Sequence, residues 1–184
     1  MNNSPHVPQP LAGSAFPRWS ETLHDQSHVV IRPISRHDKE AERAFIEGLS
    51  SQARQFRFLG QVRHPSESLL KEFTELDYAH EAAFVAVIPE DSRETIVGVS
   101  RYSTDQEGFN CECAVTVSDA WQNKGLGTLL MKHLIEVARA RGIRSMTSID
   151  SADNIPMKDL AHHLGFHSRV DPEDASQVIH ELEL

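Results

Sequence analysis

The sequence predicts a mixed α/β domain built on a mixed β-sheet. Segments with helical and strand periodicity follow one another over most of the 184 residues, and three strand-like segments lie at hairpin spacing in the middle of the chain. An amphipathic helix led by glycines comes after them. Hydrophobic residues make up 39% and charged residues 24% of the chain, the composition of an ordinary globular protein. A chain of this length buries a core without disulfide or metal support.

The first 27 residues differ from the rest in composition. Prolines stand among asparagine, serine, glutamine and glycine with no sustained periodicity, at Pro5, Pro8, Pro10 and Pro17. Such a segment favours a disordered chain over a packed core. We therefore expect residues 1–27 to form a flexible tail and residues 28–184 to form the domain.

The first part of the domain predicts one strand and three helices. Residues 28–34 form a short β-branched strand interrupted by a proline. Ser35 and Asp38 have the spacing of a capping box, which predicts the start of a helix. That helix carries apolar residues at helical spacing, namely Ala41, Ala44, Phe45 and Leu49. A second helix is predicted over 52–58, and a third begins after Ser66, which can cap it.

The remaining elements alternate between strands and helices. Three strands at 83–88, 95–102 and 109–117 predict an antiparallel meander. A helix then runs from Gly125 to just before Gly142, with its apolar residues on one stripe. A strand, a helix and two further strands complete the chain, at 145–150, 154–164, 166–170 and 177–184.

The junction between the third meander strand and the long helix carries the strongest chemical signal. A strand ends at Val117, a short polar loop follows, and Gly125 and Gly127 open the helix. Glycine lets the backbone approach a ligand closely, and the unpaired amides of a helix N-terminus attract a pyrophosphate. The spacing matches neither Gly-x-Gly-x-x-Gly nor the P-loop. The same glycines could serve a tightly packed strand-to-helix turn alone.

Two landmarks make the chain resemble the GNAT superfamily of N-acetyltransferases. Gln122-x-x-Gly125-x-Gly127 matches the family's Arg/Gln-x-x-Gly-x-Gly/Ala signature and follows a Val-x-Val strand. The helix led by Asn154 and ending in Leu-Gly-Phe at Phe166 resembles the second landmark. The resemblance covers everything except the tail and implies a mostly antiparallel sheet of six or seven strands with flanking helices.

Within that family, the chain looks most similar to the acetyltransferase domain of bacterial protein-lysine acetyltransferases. The likeness lies within residues 32–87, in the stretches 55–59 and 77–87. It implies a primary amine as acceptor, either a protein lysine or a small polyamine-like molecule.

The resemblance implies acetyl-CoA as co-substrate. The residues expected to hold it are Val115, Thr116, Val117, Gln122, Asn123, Lys124, Gly125, Leu126, Gly127, Thr128 and Asn154. The strand backbone would pair with the pantetheine arm, and Lys124 would add a positive charge at the phosphates. Asn154 is an equally good N-cap for its helix, with Pro156 in the first turn.

Glu112 is the candidate general base. Strand alternation places it with Asn110, Ala114 and Thr116, on the face opposite Cys111 and Cys113. A partly desolvated carboxylate at mid-strand would be a better base, and many family members carry a catalytic glutamate on this strand. A simple solvated surface residue is the other interpretation of Glu112.

The general acid is left open by the sequence. Many GNAT enzymes have a tyrosine seven residues after the landmark asparagine, and here that position is Ala161. Tyr102, a histidine or water could supply the proton, or the thiolate could leave unprotonated.

The sequence gives less support to other classes of function. A formal net charge of -9 argues against a nucleic-acid partner, and no apolar run reaches the ~20 residues of a membrane helix. The N-terminus lacks the features of a signal peptide, so we expect a cytoplasmic protein, monomer or homodimer. The histidines and the Cys111-x-Cys113 pair do not have metal-site spacing, so no metal is expected, and the two thiols are poorly placed for a disulfide. A non-catalytic acyl-CoA sensor and a plain interaction module are the rival hypotheses.

Overall fold

The computed structural model describes residues 17–58 and 62–184. Its strands are β1 (Trp19–Thr22), β2 (His28–Pro33), β3 (Glu81–Glu90), β4 (Arg93–Thr104), β5 (Asn110–Val117), β6 (Ser145–Ser151), β7 (His167–Val170) and β8 (Gln177–Glu183). Its helices are α1 (Lys39–Gly48), α2 (Ser51–Phe58), α3 (Glu67–Thr74), α4 (Leu126–Ala140) and α5 (Ile155–His163).

The strands form one sheet in the order β1-β2-β3-β4-β5-β6-β8-β7. Every neighbouring pair is antiparallel except β5 and β6, which run parallel and are joined by α4. Parallel neighbours need such a crossover connection, because the end of the first strand and the start of the second lie at opposite ends of the pair. The mixed, mostly antiparallel sheet expected from the sequence is therefore confirmed.

The sheet has one strand more than the six or seven expected, because β1 lies inside the segment predicted to be a tail. Its four residues pair with β2, and Trp19 packs against Phe84 and stacks on His133 at a ring separation of 4.0 Å. Glu21 accepts a 2.6 Å hydrogen bond at its Oε1 from His133 Nε2. Contacts with residues far along the chain thus order this short strand. Residues 1–16 of the predicted tail lie outside the described residues, as does Leu59.

Helix ends follow the local signals in the sequence. Ser35 and Asp38 form the expected capping box, around a single 3-10 turn that leads into α1. Ser66 Oγ accepts a hydrogen bond from the Leu69 amide at the start of α3. Gly142, just past the end of α4, has a φ of 81°, which glycine adopts without the strain of a side chain.

Two apolar cores lie on opposite faces of the sheet. The face covered by α4 buries Leu130, Met131 and Leu134, with 0% of each residue exposed. On the other face, α1 and α3 bury residues such as Phe45, Ile46 and Leu70 against β3 and β4. Gly98 on β4 lets α4 approach closely, because a Cβ there would lie 2.8 Å from Leu130 Cδ1. The central strands are held firmly from both faces.

The two cysteines are structural. Cys111 and Cys113 are both buried on the α4 face and are not bonded to each other, as the spacing predicts. Burial raises the pKa of the Cys111 thiol to about 12 and that of Cys113 well above its usual value. Neither is a nucleophile at neutral pH, since the thiolate is the reactive form.

Asp38 is expected to be a major contributor to stability. Arg32 donates two hydrogen bonds of 2.7 and 2.8 Å to its carboxylate, and the Ser35 amide donates a third of 2.8 Å. Removing one partner of a buried ion pair costs about 3 kcal/mol or more. We expect Asp38→Ala to lower the free energy of unfolding by about 3 kcal/mol in a denaturant titration.

Glu94→Ala is the matched control for that substitution. Glu94 binds the same arginine at 3.0 Å, but 47% of its side chain is exposed, so its loss should cost less than about 1 kcal/mol. Burial acts to raise the pKa of Asp38, but the hydrogen bonds from Arg32 and Ser35 outweigh it and hold that pKa below its usual range. The difference between the variants should therefore persist through neutral pH and disappear as the pH falls through the folded-state pKa of Asp38. Equal effects of the two substitutions would contradict the assignment.

Candidate active site

A cleft opens where β5 and β6 separate. The two strands pair only from Asn110 to Glu112 and from Ser145 to Thr147, and both then continue without pairing to each other. The cleft has a volume of about 640 Å³ and is lined by the second half of β5, the start of α4, the end of β6, α5 and α2. The β5 edge that faces the gap has no neighbouring strand there, so a ligand could hydrogen-bond to its backbone.

The glycine turn, residues 122–127, lies along this cleft beyond the end of β5. Gly125 has a φ of 87° and precedes α4, whose first residues, Leu126, Gly127 and Thr128, line the cleft. The ring of His24 lies over Gly125, and a Cβ there would come within 2.7 Å of its Nε2. Glycine is therefore required at position 125 for both its backbone conformation and its packing.

All the residues expected to hold acetyl-CoA line the cleft except Lys124. Its Nζ lies 2.8 Å from Asp25 Oδ2, in the loop between β1 and β2, and 4.7 Å from the centre of the Trp121 ring. The Lys124 and Ser27 hydrogen bonds hold the pKa of Asp25 well below its usual range. The Lys124 side chain thus contacts the loop between β1 and β2, which the sequence had not indicated, and its role at the phosphates stays a prediction.

Two polar residues of the predicted site also make structural contacts. Gln122 Nε2 donates a 3.3 Å hydrogen bond to the Val117 carbonyl, which braces the turn after β5. Asn154 Oδ1 accepts a 3.2 Å hydrogen bond from the Met157 amide, so it is the N-cap of α5. Both residues still line the cleft, and the capping role leaves room for a ligand contact.

Glu112 lines the cleft near the point where β5 and β6 diverge. It lies on the expected face, opposite buried Cys111 and Cys113. Glu112 is exposed, in contrast to the partly desolvated carboxylate expected from the sequence. Glu112 interacts electrostatically with the guanidinium of Arg57.

Arg57 is a cleft residue that the sequence analysis did not single out. It belongs to α2, whose start is tied to the glycine turn by a 2.9 Å hydrogen bond from the Ser50 amide to Asp119 Oδ2. Its guanidinium lies 5.1 Å from the ring of Phe58 and 5.4 Å from that of Phe73. Burial lowers the pKa of Arg57 to about 10, which leaves the group cationic at neutral pH.

Asp150 is the second cleft residue that the sequence analysis missed. It lies near the end of β6, with 15% of its side chain exposed, and its Oδ2 accepts a 2.5 Å hydrogen bond from Ser148 Oγ. Burial raises its pKa, and the Ser148 hydrogen bond and the charges of His180 and Arg57 offset part of that rise. Asp150 could have been found from the sequence as a carboxylate at the end of a strand parallel to the one bearing Glu112.

Tyr102 does not reach the cleft. It is 2% exposed in the core beneath α4, and its hydroxyl accepts a 2.8 Å hydrogen bond from Arg141. It is therefore wrongly placed to be the general acid considered above. Ala161 is fully buried and offers no proton, which leaves a histidine, water or another cleft residue.

The cleft carries more negative than positive charge. The carboxylates that line it are Glu112, Asp119, Asp150 and Asp159, against the single guanidinium of Arg57. In the described residues, no group of three or more histidine, cysteine, aspartate or glutamate side chains could hold a metal ion. Over the same ranges, no helix is long and apolar enough to cross a membrane.

Together, the fold and the cleft define an acyltransferase that uses a CoA thioester. The profile of the Acetyltransferase (GNAT) family matches residues 43–166. The chain belongs to this family of acetyl-CoA-dependent N-acetyltransferases.

Named relatives agree with this assignment. Acetyltransferase PA5475 of Pseudomonas aeruginosa is 49% identical over 166 residues, which cover 90% of this chain and 89% of that protein. Acetyltransferase Pat of Mycolicibacterium smegmatis is 33% identical over 113 residues, 60% of this chain and 33% of that protein.

Solved structures share the fold. The GNAT domain of Streptomyces lividans PAT superposes with a TM-score of 0.84 at 24% identity, covering 91% of this chain and 97% of that one. The yncA protein of Salmonella typhimurium, solved with its cofactor acetyl-CoA, gives a TM-score of 0.67 at 21% identity, covering 86% of this chain and 95% of that one.

Proposed function

We propose that this protein transfers the acetyl group of acetyl-CoA to a primary amine, that of a protein lysine, with Glu112 as general base. The observation that carries the proposal is that Glu112 and the glycine turn line the same cleft, at its opposite ends. A donor site and a base that face one space are what direct transfer to an amine requires.

The donor would bind along the gap between β5 and β6. The unpaired amides at the start of α4 would hold the pyrophosphate, since the residues that carry them line the cleft and the helix dipole favours an anion there. The edge of Val115–Val117 would pair with the pantetheine arm. That direction brings the thioester to the point where the strands diverge, beside Glu112.

The chemistry needs a neutral amine and a stabilised oxyanion. Glu112 would remove a proton from the acceptor, directly or through water, while the amine nitrogen attacks the thioester carbonyl. A backbone amide of β5 would stabilise the negative oxygen of the tetrahedral intermediate. Collapse of that intermediate breaks the carbon–sulfur bond and leaves the amide product and CoA.

The charge of the cleft supports a cationic acceptor. Four carboxylates and one arginine line it, so an ammonium group is attracted to the site before it loses its proton. The resemblance of residues 32–87 to bacterial protein-lysine acetyltransferases supports a lysine side chain. A polyamine is the second candidate, because its several ammonium groups could pair with Asp159 or Asp119 as well as Glu112.

An acceptor panel tests the function. CoA release and acceptor mass should be followed with lysine-containing peptides, folded proteins, spermidine and free amino acids at matched concentrations. A gain of 42 Da on a lysine side chain, an increment set by the acetyl group itself, supports the proposal. Acetylation of spermidine alone would favour a polyamine as the acceptor. If none of the amines is acetylated, the result would favour a non-catalytic acyl-CoA sensor.

Ligand binding separates the enzyme from an interaction module. Acetyl-CoA at a hundredfold excess over its dissociation constant should raise the free energy of unfolding by about 2.7 kcal/mol. The measurement is a denaturant titration with and without the ligand, with adenosine as a control that lacks the thioester, the pantetheine arm and the phosphates. No stabilisation by acetyl-CoA at millimolar concentration would contradict donor binding.

A further inference from the structure

A chain of polar side chains links the cleft to the far edge of the sheet. Ser148 on β6, His180 on β8 and Ser168 on β7 lie directly opposite one another across three strands. Asp150, two residues after Ser148, shares their face. Ser168 Oγ lies 2.7 Å from His180 Nδ1, and His180 Nε2 lies 3.8 Å from Asp150 Oδ2.

We propose that Asp150 donates the proton taken up by the departing CoA thiolate, and that His180 is a positioning residue packed beside this carboxyl group. The inference rests on the proposed acetyl transfer. Asp150 would be the general acid of the reaction. Ala161 has no acidic proton, and Tyr102 does not reach the cleft.

The position of Asp150 suits a leaving-group acid. It lines the cleft on β6, beyond the last residue of β6 that pairs with β5, whereas Glu112 lines it on β5. The thioester would lie between these two strands, so the base and the acid would act from opposite walls. Glu112 is exposed, whereas only 15% of the Asp150 side chain is. Two carboxylates in such different surroundings can take opposite roles in proton transfer.

The surroundings of Asp150 favour its protonated form. Burial raises the pKa of Asp150 and lowers that of His180, which is 1% exposed. Both shifts act toward a neutral carboxyl group beside a neutral imidazole, because burial disfavours the charged form of each group. The charged groups that face the pair are Arg57 on α2, which opposes the rise at Asp150, and Lys158 on α5, which further lowers the pKa of His180.

The proton balance closes over one turnover. When the carbon–sulfur bond breaks, its electron pair stays on sulfur, and the Asp150 carboxyl proton passes to that sulfur to form the CoA thiol. Asp150 then regains a proton from solvent in the cleft. Glu112 releases to solvent the proton that it took from the amine, so the enzyme returns to its starting state.

The leaving group provides the test. Asp150→Asn keeps the shape of the side chain but has no acidic proton. With acetyl-CoA and a saturating amine, we expect kcat to fall by about a hundredfold, the lower end of the range for acid–base catalysis. With 4-nitrothiophenyl acetate and the same amine, we expect less than about a threefold change from the wild-type rate, because an aryl thiolate leaves without protonation.

Control variants separate a catalytic role from a structural one. Asp153→Asn changes an exposed carboxylate on the next loop and should leave both rates unchanged. His180→Gln should show the same selectivity for the leaving group as Asp150→Asn, with a smaller loss. If Asp150→Asn does not fold, Asp150→Ser serves as the second variant and should discriminate between the thioesters in the same way.

The results that would contradict the role of Asp150 differ from those that would contradict acetyl transfer itself. Equal slowing with both thioesters, no slowing with either, or a rise in acceptor KM alone would overturn the assignment of Asp150 as acid while leaving acetyl transfer intact. A wild-type protein that binds acetyl-CoA and acetylates no amine would overturn the proposed function, and this inference with it.

Discussion

Glu112→Gln is expected to lower kcat for acetyl transfer by about a hundredfold to ten-thousandfold, the usual contribution of a positioned general base. Glutamine fills the same space on β5 but cannot accept a proton from the amine. Acetyl-CoA should still bind, because the glycine turn and the β5 backbone are untouched. The measurement is CoA release under saturating donor and acceptor, with the dissociation constant of acetyl-CoA determined separately.

Glu183→Gln is the matched control for Glu112→Gln. Glu183 is an exposed strand glutamate on β8 outside the cleft lining, so its substitution should leave kcat unchanged. The loss at Glu112 should also be smaller at high pH, where more of the amine is already deprotonated in solution. Unchanged turnover of Glu112→Gln at pH 7 to 8 would show that another group, or water alone, is the base.

Thr128→Glu should weaken acetyl-CoA binding by about tenfold to a hundredfold, since unit charges 4 Å apart near a protein surface repel by about 4 kcal/mol before salt screening. Thr128 is the third residue of α4 and lines the cleft where the pyrophosphate would bind. A carboxylate there should also stabilise the helix by about 0.3–1 kcal/mol in the free protein, through the helix dipole. Weaker binding together with higher stability is a combination that general damage to the fold does not produce.

Thr128→Gln isolates the charge from the size of the new side chain. It should weaken binding less than Thr128→Glu, and the difference between the two should shrink as salt rises, because exposed charges are screened. Dissociation constants from calorimetry and unfolding titrations without ligand give both quantities. Equal affinities of the two variants at low salt would show that the phosphates bind elsewhere.

The sequence alone determined the features that depend on neighbouring residues. The capping box at Ser35 and Asp38 and the Ser66 cap satisfy backbone groups within one turn, so a four-residue pattern is enough to identify them. The turn at Gly125 is equally local, because its backbone conformation is one that glycine adopts readily. The alternation that placed Glu112 opposite Cys111 and Cys113 follows from the two-residue period of a strand.

Only the tertiary structure decided which distant residues meet. β1 is a strand because Trp19 and Glu21 pack against His133, more than a hundred residues later. Lys124 pairs with Asp25, and no spacing in the sequence predicts that ion pair.

The same reason explains the residues that complete the cleft. Asp150 and His180 lie thirty positions apart, and they meet because β6 and β8 pair in one register while β5 and β6 separate. Periodicity assigns a side chain to a face of a strand, but it does not say where two strands diverge or which burial a carboxylate acquires there. The sequence by itself therefore predicted a donor-binding turn and a candidate base, whereas the charges that surround these residues are a property of the folded chain.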